Sequence, residues 1–458
     1  INRFKKGEYN LRGEKNMNLI KDDIKKLFYK FLIPAISSSL AIAIYSLVDT
    51  IAIGHGAGPD GTAACAIVLP IFSIALFIAL LCGIGGSVLM AHARGEGNKE
   101  KGDAYFTASI VLVTIITLIV WIPGMMYQDE FYRLCGADDV LMPYSREYGE
   151  WIFAFIPSFV ITSFLGAFVR TDGSPKFVMT AILTGGVVNI IGDWIFVFPM
   201  NMGMRGAAIA TALGSAVQAI MILWYVFAKK TTLKLAKPHQ WLKGFKKIIT
   251  TGFSAGISAL AVIAVSFIAN NQIMNYLGGA ALAVYGVLGT VSSLFTSIFS
   301  GIGQATQPIA SENFGAGNID RCWAVEKLGI RTALIYGIVF AAISIIFPVG
   351  VVGLFMQMTP EVIEVTPYIM RVFSLSYIPQ AVCVFCVFYL QSIVHAKKAT
   401  VISLLRGVIL NGAFLMIFPV FFGGNSIWWA IFMAEFVTML VAVVYMVRIY
   451  REHKKLMS

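Results

Sequence analysis

Long apolar runs with few charges dominate the chain, and they do not alternate between apolar and polar positions as barrel strands would. A run of about 18 or more such residues predicts a helix that crosses a membrane. We therefore predict an all-α integral membrane protein. Twelve runs meet this description, at 31–54, 64–90, 104–127, 150–169, 177–198, 206–228, 248–277, 281–310, 329–349, 366–394, 399–420 and 426–447.

The chain is 58% hydrophobic and only 13% charged, yet its net charge is +11. With an inside N-terminus, 31 of the 35 Lys and Arg fall on the cytoplasmic side of the twelve runs. This bias indicates topology rather than nucleic-acid binding, and it predicts both termini in the cytoplasm of a multi-pass plasma (inner) membrane protein. Residues 1–16 precede Met17 and carry no apolar pattern, so we expect them to be a leader or tag before a natural start at Met17, with an ordinary cytoplasmic tail as the alternative.

The second half of the chain repeats the first. "GIGGSVLMAHARGEGN" (83–98) resembles "GIGQATQPIASENFGAGN" (301–318), and further matches recur at offsets of 218 to 222. Six spans per half keep both halves in one orientation, so we expect two lobes related by a pseudo-two-fold axis along the membrane normal. The predicted divisions are an N-terminal segment 1–30, a lobe 31–228, a basic linker 229–247, a lobe 248–447 and a tail 448–458.

Acidic residues inside the predicted spans are few. Asp49 lies on span 1 and Asp193 on span 5, where each costs about 2.5–3.5 kcal/mol on insertion scales. Such residues usually face a bundle interior and serve a function, although a structural hydrogen bond is the simpler alternative. The matched second-half positions are Ala269 and 413–415, none of which is ionisable, so the two halves share a fold but differ in their ionisable side chains. Glu435 on span 12 has no evident polar partner, and we expect it to matter little.

Hard oxygen donors gather around these two carboxylates. Asn189 lies four residues before Asp193 and shares its helix face, as Tyr45 shares that of Asp49. Thr211 adds a hydroxyl on span 6. Carboxylate, amide and hydroxyl oxygens suit Na⁺ or a shared proton and not a soft metal.

Taken together, these segments resemble the multidrug and toxic compound extrusion (MATE) family over about residues 24–450. The resemblance rests on "PAISSSLAIAIYSLVDT", "ARGEGN", "VRTDGSPK" and "NIIGD", in addition to the two six-helix halves. It implies a cation site of the DinF-like branch, formed by Asp49, Asn189, Asp193 and Thr211, and a bending proline at Pro34. The acidic residues that other branches carry on spans 7 and 10 are absent here.

The resemblance further implies an antiporter that exports amphiphilic, often cationic, compounds in exchange for H⁺ or Na⁺ by alternating access. We expect no other cofactor or metal, no nucleic-acid partner, a lipid bilayer environment, small organic substrates and a monomer. Candidates for the substrate cavity are Tyr45, Ser38, Asn270 and Gln304.

Two other functions remain open. A lipid-linked sugar flippase of the same superfamily would need Lys or Arg in a central cavity, whereas Arg331, Arg371 and Arg406 lie in or near predicted helix ends. A membrane enzyme such as a prenyl transferase would need Asp-rich or His-rich motifs, and "QDEFYRLCGADD" (128–139) lacks metal-ligand spacing. We therefore expect a transporter and not an enzyme.

Overall fold

The computed structural model describes residues 18–227, 231–238, 240–356 and 358–457, and this part of the chain is helical without a β-strand. Eleven helices in it are long and apolar enough to cross a membrane. One of them, Trp241–Gly315, has 75 residues. At about 1.5 Å per residue it would extend about 110 Å, against a hydrocarbon core of about 30 Å, so it crosses twice. Its backbone reverses at Gly278, which has φ 80° and ψ −173°.

Twelve spans result, and they are longer than their apolar runs, by one residue in span 5 and by up to eleven in span 1, because the helices continue into the polar interface. Span 7 starts at Trp241, so the last seven residues of the predicted linker are helical. The spans, numbered 1 to 12, are Ile24–Gly58, Asp60–Gly95, Lys99–Met126, Met142–Thr171, Pro175–Val197, Gly203–Phe227, 241–277, 279–315, Ile319–Ile346, Pro360–Ser392, Ala396–Phe422 and Ser426–Glu452.

The backbone repeats at the offset that the sequence indicates. Glycines with positive φ recur 220 residues apart in three pairs, Gly58/Gly278, Gly97/Gly317 and Gly203/Gly423. The short helix Gln128–Leu134 between spans 3 and 4 has its counterpart in Pro348–Gly353 between spans 9 and 10. Only glycine adopts this backbone region at little cost. The recurrence of glycine with positive φ at these positions therefore marks equivalent turns in the two halves.

We call the end of the bundle at which span 1 begins the near face, and the opposite end the far face. The near ends of spans 1 and 7 pack across the boundary between the halves. Phe28 and Phe31 of span 1 share a core with Phe299 and Ile302 of span 8, whereas Ile248 of span 7 belongs to the core of the first half. Spans 1 and 7 therefore link the two lobes.

The two lobes touch at the near face. A methyl group on Gly95 would overlap the carbonyl of Glu312, and one on Gly315 would overlap the carbonyl of His92. These two contacts are exchanged by the 220-residue offset, as a two-fold axis along the membrane normal requires. In the far half of span 8, by contrast, methyl groups on Gly279 and its neighbours at 286 and 289 would meet open space.

Candidate functional site

Small residues bring spans 5 and 6 close together. A methyl group on Gly185 would overlap the carbonyl of Gly214, and one on Gly192 would overlap Ala210. Close approach of this kind is typical of helix pairs in membranes. Asn189 lies between the two span-5 glycines on the same face, and the close packing holds its amide against span 6.

A hydrogen-bond network then joins four spans. Asn189 Nδ2 donates to Thr211 Oγ1 at 3.1 Å, and Thr211 Oγ1 donates to Asp49 Oδ1 at 3.1 Å. The hydroxyl of Tyr148, on span 4, donates to the other oxygen, Asp49 Oδ2, also at 3.1 Å. A hydroxyl has one proton and can still accept, so Thr211 relays between the amide and the carboxylate. The structure thus brings together three of the four predicted site residues.

Asp193 is the fourth predicted residue, and its carboxylate is buried without a partner. Its side chain is 1% exposed, and neither of its oxygens makes a hydrogen bond within the described part of the chain. Oδ1 of Asn189 is likewise buried and without a partner. Asp49 lies within electrostatic range of Asp193. A buried carboxylate with no counter-charge is costly, so this arrangement favours the binding of a cation.

The donor set fits a proton or Na⁺. It offers two carboxylates, an amide oxygen and a hydroxyl, all of them hard ligands. Among the described residues there is no group of three or more His, Cys, Asp or Glu side chains that a transition metal would need.

Sequence reasoning missed Tyr148. The residue is 1% exposed, and a buried tyrosine hydroxyl generally needs a polar partner. That rule could have marked Tyr148 as a residue with a partner, but the partner is 99 positions away in the chain. Only the packing of span 4 on span 1 identifies it.

The candidates for the substrate cavity occupy different environments. Tyr45 is half-buried and packs on Gly186 of span 5, inside the first lobe. Ser38 is buried and donates a hydrogen bond to the carbonyl of Pro34 at 2.6 Å. Gln304 is half-buried and Asn270 is exposed. Their role in substrate binding stays a prediction.

Pro34 lies inside span 1, where the backbone keeps helical dihedral angles up to Gly58. Its ring removes one backbone hydrogen bond, which leaves the helix free to bend there. Bending at Pro34 during function also stays a prediction.

The second lobe corrects two statements of the sequence analysis. Glu435 does have a partner, because Arg406 Nε donates to both of its carboxylate oxygens at 2.7 and 2.9 Å. Arg406 lies ten residues inside span 11, in a π-helical turn over Leu405–Ile409, and Arg331 lies twelve residues inside span 9, so neither is at a helix end. Arg371 is in the last turn of the helix Pro360–Ser374, as the sequence indicates. Sequence spacing within one helix could not show the pair of Arg406 with Glu435, since its members lie on different spans. The positions that match the two site aspartates, Ala269 and 413–415, are all apolar, and Ala269 and Leu415 are buried.

The near-face motifs form a second polar cluster. Arg94 of "ARGEGN" pairs with Asp172 of "VRTDGSPK" and with Asp103, each at 3.3 Å. The linker joins this cluster because the side chains of Thr231 and Thr232 donate to Asp172. The two motifs therefore hold the near ends of spans 2, 3 and 4 to the start of the linker.

Twelve spans in two repeated lobes, with ionisable side chains buried among them, define the class of the protein as a multi-pass membrane transporter. The chain belongs to the MatE family, since the model of that family matches it twice, at residues 34–195 and 255–417. The two matches correspond to the two halves.

Relatives and solved structures cover nearly the whole chain. The multidrug export protein MepA of Staphylococcus aureus (strain MSSA476) is 26% identical over 441 residues, which are 93% of this chain and 95% of that protein. MepA of Staphylococcus haemolyticus is 22% identical, covering 96% and 97%. A structure described as the outward-facing conformation of a multidrug resistance MATE family transporter superposes with a TM-score of 0.89 at 22% identity, over 96% of this chain and all of that one.

Proposed function

We propose that this protein exports amphiphilic, often cationic, organic compounds in exchange for H⁺ or Na⁺. The observation that carries the proposal is the buried carboxylate of Asp193, which has no hydrogen-bond partner in the described part of the chain and lies within electrostatic range of Asp49. We assign the cation site to these two residues together with Asn189 and Thr211, and we add Tyr148, whose hydroxyl orients the Asp49 carboxylate.

Coupling follows from charge compensation. Two buried carboxylates repel each other, and a bound proton or Na⁺ offsets both this repulsion and the loss of hydration. Exchange of one entering cation for an uncharged substrate moves one net charge, and at 100 mV this supplies about 2.3 kcal/mol, which sustains a gradient of about fifty-fold in the substrate. For a monovalent cationic substrate the one-for-one exchange moves no net charge, and the concentration gradient of the coupling ion supplies the energy.

The near-face contacts support alternating access. The lobes meet there through backbone-level contacts at Gly95 and Gly315, whereas Gly279 and Gly286 in the far half of span 8 face open space, and from this contrast we infer that the central space opens toward the far face. Opening to the near face requires these contacts to separate while spans 1 and 7, which pack on both lobes, act as the pivots. A rocking movement of two parallel repeats is the usual route in such transporters.

From the distribution of basic residues we propose that the near face is cytoplasmic, and in that orientation the structure would be outward-open. Cysteines placed in the linker should resist impermeant thiol reagents applied to intact cells. Ready labelling there would reverse the orientation.

The substrate class rests on the named relatives, which are multidrug export proteins. We propose a monomer as the transporting unit, because each chain contains both lobes and the space between them.

Transport in liposomes tests the proposal. Purified protein is reconstituted and uptake of a cationic dye is recorded with an imposed Na⁺ gradient, then with a proton gradient, each alone. One gradient should drive uptake, and Asp49→Asn and Asp193→Asn should abolish the driven component. Asn189→Ala and Thr211→Ala should reduce it less, because each removes one neutral ligand. Dye uptake that neither gradient changes would contradict the coupling.

A further inference from the structure

A strongly basic cavity of about 760 Å³ opens at the near face, where the two lobes meet. The first lobe contributes the end of span 2 and the start of span 3, and the second lobe contributes the starts of spans 7 and 11. Six lysines line it, namely Lys101, Lys243, Lys246, Lys247, Lys397 and Lys398.

The positive charge of this cavity is largely uncompensated by the residues that line it. Glu96 is the one acidic side chain among them, and it already pairs with Lys101 at 2.8 Å and lies 3.3 Å from His92. The pairing holds the pKa of Glu96 below its usual range, so this carboxylate stays charged and stays bound to Lys101. The excess charge comes mainly from the second lobe, and such a concentration favours an anion.

An apolar groove of about 330 Å³ adjoins the cavity. Ile249, Phe253 and Thr400 line it, and it shares Thr250 and Lys397 with the cavity. The groove follows the starts of spans 7 and 11, where these helices enter the membrane. A basic cavity and an apolar groove that share two residues match the two parts of one phospholipid.

We propose that this surface binds an anionic phospholipid, with its phosphate headgroup among the lysines and an acyl chain along the groove. Basic pockets between spans at the cytoplasmic side of membrane proteins have the chemistry that binds such headgroups. Both lobes line the cavity, so the bound headgroup neutralises lysines on each side of the contact and stabilises the closed near face. Nothing in the cation site of the first lobe takes part in this binding.

The test measures lipid binding directly and independently of transport. Full-length protein is delipidated in neutral detergent, and retention of phosphatidylglycerol is compared with that of phosphatidylcholine by native mass spectrometry. The pocket variant is Lys246→Gln/Lys247→Gln/Lys397→Gln. The control variant, Lys21→Gln/Lys25→Gln/Lys26→Gln, removes the same charge from the near face outside the cavity.

The wild type and the control should bind phosphatidylglycerol in preference to phosphatidylcholine. The pocket variant should lose affinity about a hundredfold, since each lysine near an anionic headgroup contributes about fivefold. All six positions are exposed or half-buried at the membrane surface, and matching size-exclusion profiles will show that the variants remain folded. Equal loss in the pocket and control variants, or no loss in either, would overturn the site.

A second arm separates a lipid from a soluble phosphate. Glycerol phosphate carries the headgroup charge without acyl chains, and it should fail to displace phosphatidylglycerol at millimolar concentration. Thr400→Phe, which fills the groove, should weaken binding of the lipid. Complete displacement by glycerol phosphate, with no effect of Thr400→Phe, would make the occupant a soluble phosphate compound and overturn the lipid assignment.

Discussion

The two site aspartates differ in their hydrogen bonds, and this difference predicts that their replacement by Asn changes the stability of the protein by different amounts. Asp49 accepts two hydrogen bonds from hydroxyl groups, whereas Asp193 accepts none. Replacement by Asn removes a buried charge in both cases. Only Asp49→Asn also weakens bonds to a charged acceptor, by about 1 kcal/mol for each of two bonds.

We therefore expect Asp193→Asn to be about 2 kcal/mol more stable than Asp49→Asn, and at least as stable as the wild type. The corresponding shift in midpoint temperature is small for a chain of 458 residues. At about 2.1 cal/mol/K per residue the unfolding entropy is about 1 kcal/mol/K, so the two variants should differ by about 2 °C. Thermal unfolding in detergent without Na⁺ resolves such a difference. Asp139→Asn is the control, since that carboxylate is 94% exposed.

Added cation gives an independent readout. Saturation at about a hundred times the dissociation constant stabilises a binding protein by about 2.7 kcal/mol, so the coupling ion should raise the midpoint of the wild type by about 3 °C. Neither variant should respond. A midpoint for Asp193→Asn below that of Asp49→Asn would refute the assignment of their partners, and gradient-driven transport by Asp193→Asn would remove this residue from the cation site.

Three further predictions follow from contacts outside the pair. Glu435→Ala should cost about 1.5–3 kcal/mol, because it removes the charged hydrogen-bond partner of the half-buried guanidinium of Arg406, and Arg406→Met/Glu435→Met should recover most of this loss; equal midpoints for the single and double variants would contradict it. Gly95→Leu should separate the lobes at the near face, which spin-label distance measurements would detect, and it should slow transport by about tenfold or more because overpacking costs about 1–3 kcal/mol. Gly286→Leu is the control, since that position faces open space. Tyr148→Phe should weaken cation-induced stabilisation while leaving transport measurable, and an unchanged cation response would exclude the hydroxyl from the site.

Much of the fold could be predicted from sequence because each span carries its own signal. Apolar length indicates a crossing, and the glycines at 58, 97 and 203 recur 220 positions later at equivalent turns. Asp193 was identifiable for the same reason, since a carboxylate in an apolar run stands out without knowledge of its neighbours.

Contacts between spans could not be predicted in this way. The bond from Tyr148 to Asp49 and the pair of Arg406 with Glu435 depend on the rotation and depth of separate helices, and no spacing along the chain records those quantities. Glu435 shows the consequence, because a residue judged by its own helix had no partner, whereas a neighbouring helix supplies a guanidinium at 2.7 Å.

The contrast between the halves bears on where coupling resides. Each half contains a buried acidic side chain. Glu435 in the second half is permanently paired with the cation Arg406, whereas Asp193 in the first half has no hydrogen-bond partner in the described part of the chain. A carboxylate that is already neutralised gains little from a mobile cation, and one that is not gains a great deal. We therefore expect a change in H⁺ or Na⁺ concentration to alter the charge at Asp193 and to leave that of the Arg406–Glu435 pair nearly constant. The two equivalent lobes would then differ at these sites in their response to one gradient, and a rocking mechanism needs such a difference to couple cation entry to substrate exit.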